Sequence, residues 1–127
     1  MIQISPLNRV SLIGCRPGIL SALPVLEAEC ARLGLSLLLT SGTDGKHSPS
    51  SLHPVPHGLA LDYTGIEPNG LLASIPELQS MASAVRAKLG RAFDVTEEIF
   101  PERPSKNHVH VERDPKKRPL EFWEEGA

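Results

Sequence analysis

Residues 107–113 read Asn-His-Val-His-Val-Glu-Arg, and from His108 onward polar and apolar side chains alternate. This alternation is typical of a half-buried β-strand, in which side chains two residues apart lie on the same face of the sheet. The stretch therefore predicts a strand that carries His108 and His110 side by side, with Val109 and Val111 on the opposite face.

Three further segments have the length and apolar content of strands. They are residues 35–40, residues 58–63 and residues 93–99. The stretch that follows residue 63, up to Ala73, contains turn-forming residues and is predicted to be a turn-rich connection. Together with residues 107–113, the pattern predicts a sheet of four strands.

Two segments have the periodicity of amphipathic helices. In residues 19–33 apolar side chains recur at steps of four and three, which predicts a helix with Ser21 as N-cap and Gly34 as C-terminal cap. The second helix is predicted to begin with a capping box, Ser-Ile-Pro-Glu at residues 74–77, and to end at Gly90.

Length and composition define the class of protein. The chain has 127 residues, of which 40% are apolar and 22% charged, so we expect one domain over residues 1–127 with one core. The formal charge of −2 offers no basic surface for a nucleic acid, and no run of about 18 apolar residues predicts a membrane span. Residues 114–127 are predicted to form a charged, solvated tail.

The histidines carry the main functional signal. All five fall in two short windows, and an aspartate follows the first window. The first window lies in residues 41–57, a turn-rich stretch whose length is typical of a functional loop. Imidazole nitrogens and carboxylate oxygens are suitable zinc ligands, and a catalytic zinc takes three protein ligands and keeps one open position. The residues concerned are His47, His53, His57, Asp62, His108 and His110.

Three motifs resemble the zinc D-Ala-D-Ala carboxypeptidase family, which includes phage-encoded, endolysin-like members and is related to the hedgehog signalling domain. They are Gly-Lys-His-Ser-Pro-Ser-Ser-Leu-His at residues 45–53, Gly-Leu-Ala-Leu-Asp at residues 58–62, and Asn-His-Val-His-Val-Glu at residues 107–112. The resemblance runs from about residue 18 to about residue 115. It implies an α+β fold of the hedgehog and D-Ala-D-Ala peptidase type, with a small antiparallel sheet and two main helices.

The resemblance also implies a set of metal ligands. By position in the motifs, His53, Asp62 and His110 are the zinc ligands, and His108 lines the open coordination site. The family leaves two residues between the histidine and the glycine of its first motif, whereas four residues, 54–57, separate His53 from Gly58 here. His57 is therefore the alternative to His53 as ligand.

A general base is the remaining catalytic requirement. In the family, a glutamate near the closing strands takes a proton from water while zinc polarises the scissile carbonyl. The candidates in this chain are Glu97, Glu98 and Glu102, and Glu98 is preferred because residues 93–98 resemble the strand that ends in this glutamate. The lengthened, proline-flanked approach to His108 leaves the other two glutamates open.

These motifs predict an enzyme that hydrolyses peptide bonds in bacterial cell-wall peptidoglycan, as a carboxypeptidase or an endopeptidase, with Zn²⁺ as cofactor and a peptidoglycan peptide as substrate. A phage origin fits this hypothesis. The alternative is a catalytically inactive zinc-binding module that serves as a binding or virion structural protein. The first residues have no signal-peptide pattern, so we expect a cytoplasmic protein that acts at the wall after release or within a virion.

Overall fold

The computed structural model describes residues 2–4, 15–42 and 59–113. The sheet strands within these ranges are β1 (Ile2–Ile4), β2 (Ser36–Ser41), β3 (Ala60–Ile66), β4 (Phe93–Glu98) and β5 (His108–Arg113). The helices are α1 (Pro17–Leu20), α2 (Leu23–Arg32) and α3 (Ile75–Leu89), and a short 3₁₀ helix, Pro104–Lys106, precedes β5. The histidine-bearing residues 43–58 and the predicted tail, residues 114–127, lie outside the described ranges.

The strands form one sheet in the order β1-β2-β3-β5-β4. Strands β2, β3, β5 and β4 are antiparallel to their neighbours, and β1 lies parallel to β2 at the edge. The predicted α+β class, with a small antiparallel sheet and two main helices, is confirmed at this level of detail. Strand β1 was not predicted, because three residues are too few to show an alternation.

The two faces of the sheet have different environments. Val109 and Val111 of β5 are fully buried and share one core with α2 and α3, whereas the side chains between them are only partly buried. The same core takes alternate side chains of the other strands: Leu37, Leu39, Leu61, Tyr63 and Val95. We call the opposite side of the sheet the site face, and by this alternation it carries His108 and His110.

The predicted N-terminus of α3 is confirmed. Ser74 is the N-cap, the backbone amide of Glu77 donates to its hydroxyl at 3.3 Å, and the Ser74 amide donates to the Glu77 carboxylate at 2.9 Å. Gly90 ends the helix with a φ of +80°, a conformation that glycine adopts without strain. The local sequence was sufficient here because capping is satisfied within one turn.

We expect Ser74→Ala to lower the free energy of unfolding by about 1 kcal/mol, because it leaves an amide at the first turn without its acceptor. Urea unfolding followed by circular dichroism measures the change. Ser83→Ala is the matched control, since Ser83 is exposed in the middle of α3. An equal loss of stability in both variants would contradict the capping role.

The single helix predicted over residues 19–33 is wrong in detail. The chain forms α1 and α2 instead, and the N-cap of α2 is Ala22 rather than Ser21. The Ser21 hydroxyl donates to the Gly18 carbonyl at 3.0 Å, so it closes the preceding turn and does not cap the following one. A serine can bond backwards as readily as forwards, and sequence periodicity does not separate these two uses.

Strand β3 is longer than predicted. It continues to Ile66, through a stretch that the sequence analysis assigned to a turn-rich connection. Gly65 misled that assignment, because a glycine close before a proline, here Pro68, is a common turn signal. In the structure, Gly65 lies under the Leu35 side chain, and a Cβ at this position would be 2.6 Å from Leu35 Cδ1. The glycine allows this close approach within a strand.

A buried carboxylate joins the two long helices. Glu29 of α2 is 1% exposed and pairs with Lys88 of α3 at 2.5 Å and with Arg32 at 2.7 Å. These hydrogen bonds, the one from Lys88 first, lower the pKa of Glu29 below its ordinary value of 4.5 even though burial opposes them. The ion pairs therefore stabilise the folded state only while Glu29 is ionised.

A lowered pKa means that the unfolded state takes up a proton before the folded state does, so stability falls as the pH drops below about 4.5. We expect Glu29→Gln to cost roughly 1–2 kcal/mol near pH 7, because both cationic partners are half exposed. Stability should then depend less on pH between 7 and 3.5 than in the parent. Urea titrations at both pH values test this, with Glu67→Gln as control. An unchanged acid dependence in Glu29→Gln would contradict it.

None of the helices in the described ranges is long and apolar enough to cross a membrane.

Candidate metal centre

The site face brings together acidic and imidazole side chains from three neighbouring strands. Asp62 of β3 lies opposite His110 of β5, and Glu98 of β4 lies opposite His108. The central position of β5 between β3 and β4 produces this arrangement. The predicted juxtaposition of His108, His110 and Asp62 on one face is therefore present.

Asp62, Glu98 and His108 each offer one ligand atom, and these atoms all lie within 4.8 Å of one another. His108 Nε2 is 3.7 Å from Asp62 Oδ2 and 2.6 Å from Glu98 Oε1. Two ligands of one tetrahedral zinc are separated by roughly 3.3–3.5 Å, since each lies about 2.0–2.1 Å from the ion. The spacing of Asp62 and His108 fits such a pair, whereas the shorter spacing of His108 and Glu98 is that of a hydrogen bond.

The ring of His108 has a defined orientation. Its Nδ1 lies 2.8 Å from the Lys106 carbonyl oxygen, so Nδ1 carries a proton and donates it. Phe100 stacks on the ring at 6.1 Å between centroids, and the buried Asn107 accepts a hydrogen bond from the Phe100 amide at 2.6 Å. In the neutral imidazole, Nε2 then has a free lone pair that faces Asp62 and Glu98, as a metal ligand requires.

His110 has a different environment. Its Nδ1 lies 2.8 Å from Asp62 Oδ1, and its Nε2 lies 2.7 Å from Glu112 Oε1. Burial lowers the pKa of His110, but the hydrogen bonds to Asp62 and Glu112 outweigh burial and raise this pKa to about 9. Both nitrogens therefore donate to carboxylates, and His110 must lose a proton and exchange one contact before it can act as a ligand.

The three glutamates considered as general base lie in different places. Glu98 is 45% exposed and contacts His108 on the site face. Glu97 contacts Arg86 of α3 at 3.7 Å, on the side of the sheet that the helices cover. Glu102 is exposed in the turn that follows β4. Among the described residues, Glu98 is thus the one of the three that contacts a site histidine.

The sequence-predicted ligand His53, its alternative His57 and the neighbouring His47 fall in residues 43–58, outside the described ranges. That segment joins β2 to β3, and its C-terminal end therefore leads into the strand that carries Asp62.

We expect His53→Ala to lose bound zinc and His57→Ala to retain it, because Ser-Leu-His at residues 51–53 keeps the local pattern of the motif. Metal analysis of the two purified variants after dialysis distinguishes the positions. His47→Ala serves as the control for loss of an imidazole from the same loop. Retention of zinc in His53→Ala and its loss in His57→Ala would assign the ligand to His57.

A cleft of about 610 Å³ adjoins Asp62 and His108 on the site face. Sequence reasoning missed its other lining residues, because they come from β2, from the turn after β3 and from the connection between β4 and β5, and no common motif links them. The same holds for Glu112, which lies within the quoted motif but was assigned no partner. The lining residues with polar side chains include Thr64, Arg103 and Lys106.

Comparison of the chain with known protein families finds no match. The chain is similar to one component of the glutamyl-tRNA(Gln) amidotransferase of Chlorobium luteolum, with 39% identity over 72 residues. This similarity covers 51% of the chain but 15% of the amidotransferase polypeptide. The chain thus spans a small part of that protein's length, and the similarity does not assign it to a family.

Proposed function

We propose that this chain is a zinc-dependent peptidase that hydrolyses peptide bonds in bacterial peptidoglycan. The observation that carries the proposal is the convergence of Asp62, His108 and Glu98 within 4.8 Å at the edge of a cleft. This group combines a carboxylate and an imidazole of the types that bind zinc with a second, half-exposed carboxylate. The resemblance of the motifs to zinc D-Ala-D-Ala carboxypeptidases supplies the reaction and the substrate class.

The donor set fits a zinc ion in type. Asp62 belongs both to the close group in the structure and to the ligand set that the resemblance implies, so we assign it as a ligand. His110 and His53 complete the implied set, and His108 lies beside it with a lone pair available. A zinc ion held by these residues supplies a Lewis acid that polarises the scissile carbonyl.

Glu98 has the position that proton transfer requires. Its carboxylate is reachable by water and contacts His108 Nε2, so it lies next to the proposed ligands without being enclosed. In the proposed reaction Glu98 accepts a proton from water as the water oxygen bonds to the carbonyl carbon. It then delivers that proton to the amine nitrogen as the carbon–nitrogen bond breaks, so that the products are a carboxylic acid and an amine.

Digestion of purified peptidoglycan by the zinc-loaded protein, followed by mass spectrometry of the soluble products, tests this function. We expect peptides that have lost a terminal residue or have been cut internally, and none of these after treatment with a chelator. A zinc-loaded protein that releases no peptide from any wall preparation would contradict the peptidase and favour the zinc-binding module.

A further inference from the structure

The cleft beside Asp62 and His108 has walls of two kinds. Apolar side chains of β2, of β3 and of the two connections line most of it: Leu38, Ile66, Leu72 and Phe100. Polar side chains of different strands and turns line the rest, among them Thr64, Arg103 and Lys106. An enclosed apolar surface with a few converging polar groups is the usual composition of a small-ligand site.

Thr64 is the polar group in the cleft that lacks a protein partner. It is 2% exposed, and its Oγ1 forms no hydrogen bond within the described part of the chain. A buried hydroxyl without a partner is unfavourable by about 1–3 kcal/mol, and such groups in folded proteins are commonly satisfied by a ligand or by water. Thr64 lies two residues beyond Asp62 on the same face of β3, so a ligand that contacts its hydroxyl lies next to the proposed metal ligands.

Two cations lie at the other side of the cleft. Arg103 and Lys106 flank the 3₁₀ helix, both are exposed, and neither side chain forms an ion pair with a residue of the described ranges. The Lys106 carbonyl orients His108, so the segment that carries the cations also positions the site histidine. A guanidinium and an ammonium beside a hydroxyl donor are the groups that proteins use to bind a carboxylate.

From these features we propose that the cleft binds a carboxylate of the peptide substrate, held by Arg103 and Thr64 with Lys106 at the rim, and that the apolar walls accept the side chain of the residue that bears it. The inference rests on the proposed peptidase function, which it deepens. It makes Arg103 and Thr64 specificity residues, because they recognise charge on the substrate and touch no atom of the scissile bond. The carboxylate is either the terminal carboxylate of the peptide or that of an acidic side chain.

Binding, measured without reference to turnover, tests this proposal. Three probes are titrated into the ¹⁵N-labelled protein and followed by NMR: acetyl-Lys-D-Ala-D-Ala, its C-terminal amide, and the amide of acetyl-Glu-Lys-D-Ala-D-Ala. We expect at least one carboxylate-bearing probe to bind roughly 10-fold more tightly than the uncharged-end tripeptide amide, the size of a charge-assisted hydrogen bond. Tight binding of the first probe identifies a terminal carboxylate, and tight binding of the third identifies a side-chain carboxylate.

Variants then locate the recognition. Arg103→Gln should abolish the preference for the carboxylate to within about twofold, and Thr64→Val should reduce it while leaving the binding of the tripeptide amide unchanged. Arg91→Gln, an equal change of charge at an exposed position outside the cleft, should leave all three affinities as in the parent.

Equal affinity of the parent protein for all three probes, or no binding of any probe, would overturn the carboxylate site. A preference that survives Arg103→Gln would overturn the assignment to these residues. Binding with the expected preference but without cleavage of any probe would uphold the carboxylate site and count against the proposed peptidase. Cleavage without a preference would do the reverse.

Discussion

Replacement of Glu98 by Gln is expected to lower the turnover of a cell-wall peptide by about 100-fold or more, the lower end of the contribution of a general base. The amide retains the shape of the side chain and its place next to His108 but cannot accept a proton. Zinc content and the thermal unfolding temperature should stay as in the parent, because Glu98 is half exposed on an edge strand. Release of the amine product, measured at saturating peptide, gives turnover directly.

Glu97→Gln is the matched control for this change. Glu97 is the neighbouring residue of β4, but its carboxylate faces Arg86 of α3 and not the site histidines. We expect turnover within about threefold of the parent. Loss of activity in Glu97→Gln combined with full activity in Glu98→Gln would reverse the assignment, and full activity in both would direct attention to Glu102.

The second large effect is expected for Asp62→Asn, which should lower the affinity for zinc by more than the 10- to 100-fold typical of a residue that only supports a ligand. The substitution removes the negative charge while retaining the size of the side chain. Asp62 also accepts the hydrogen bond from His110 Nδ1, so the change affects two groups of the site at once. Competition with a chromogenic zinc chelator measures the affinity.

Glu67→Gln serves as control, since it removes one carboxylate just beyond the far end of β3. A parallel comparison of His108→Ala with His110→Ala shows which imidazole is the ligand. The resemblance implies that zinc affinity falls more in His110→Ala. A larger fall in His108→Ala would instead assign zinc to the group that the structure brings closest together. Unchanged zinc affinity in Asp62→Asn would exclude this aspartate as a ligand.

Patterns that are satisfied within a few residues were predictable from the sequence. The alternation around Val109 and Val111 places the two site histidines on one face, and it does so for any sheet that buries the valines. The capping box at Ser74 likewise depends on contacts within one helical turn. The class of the fold and the faces of the main strands follow from such local patterns.

Features that depend on distant partners were not predictable. The length of β3 depends on Leu35, which packs over Gly65 from another part of the chain. The carboxylate partners of His110 and His108 depend on the order of strands in the sheet, which places β5 between β3 and β4. The cleft depends on turns that no periodicity describes, and so Thr64 and Arg103 carried no signal in the sequence.

Zinc content is the most direct test of the account, because the peptidase and the carboxylate cleft beside it both assume a metal at Asp62. The protein is purified without chelators, supplied with zinc at neutral pH, dialysed, and analysed for metal by mass spectrometry, with Asp62→Asn treated in the same way. We predict about one zinc per chain in the parent and much less than one in the variant. No retained zinc in the parent, or equal zinc in both proteins, would contradict the account.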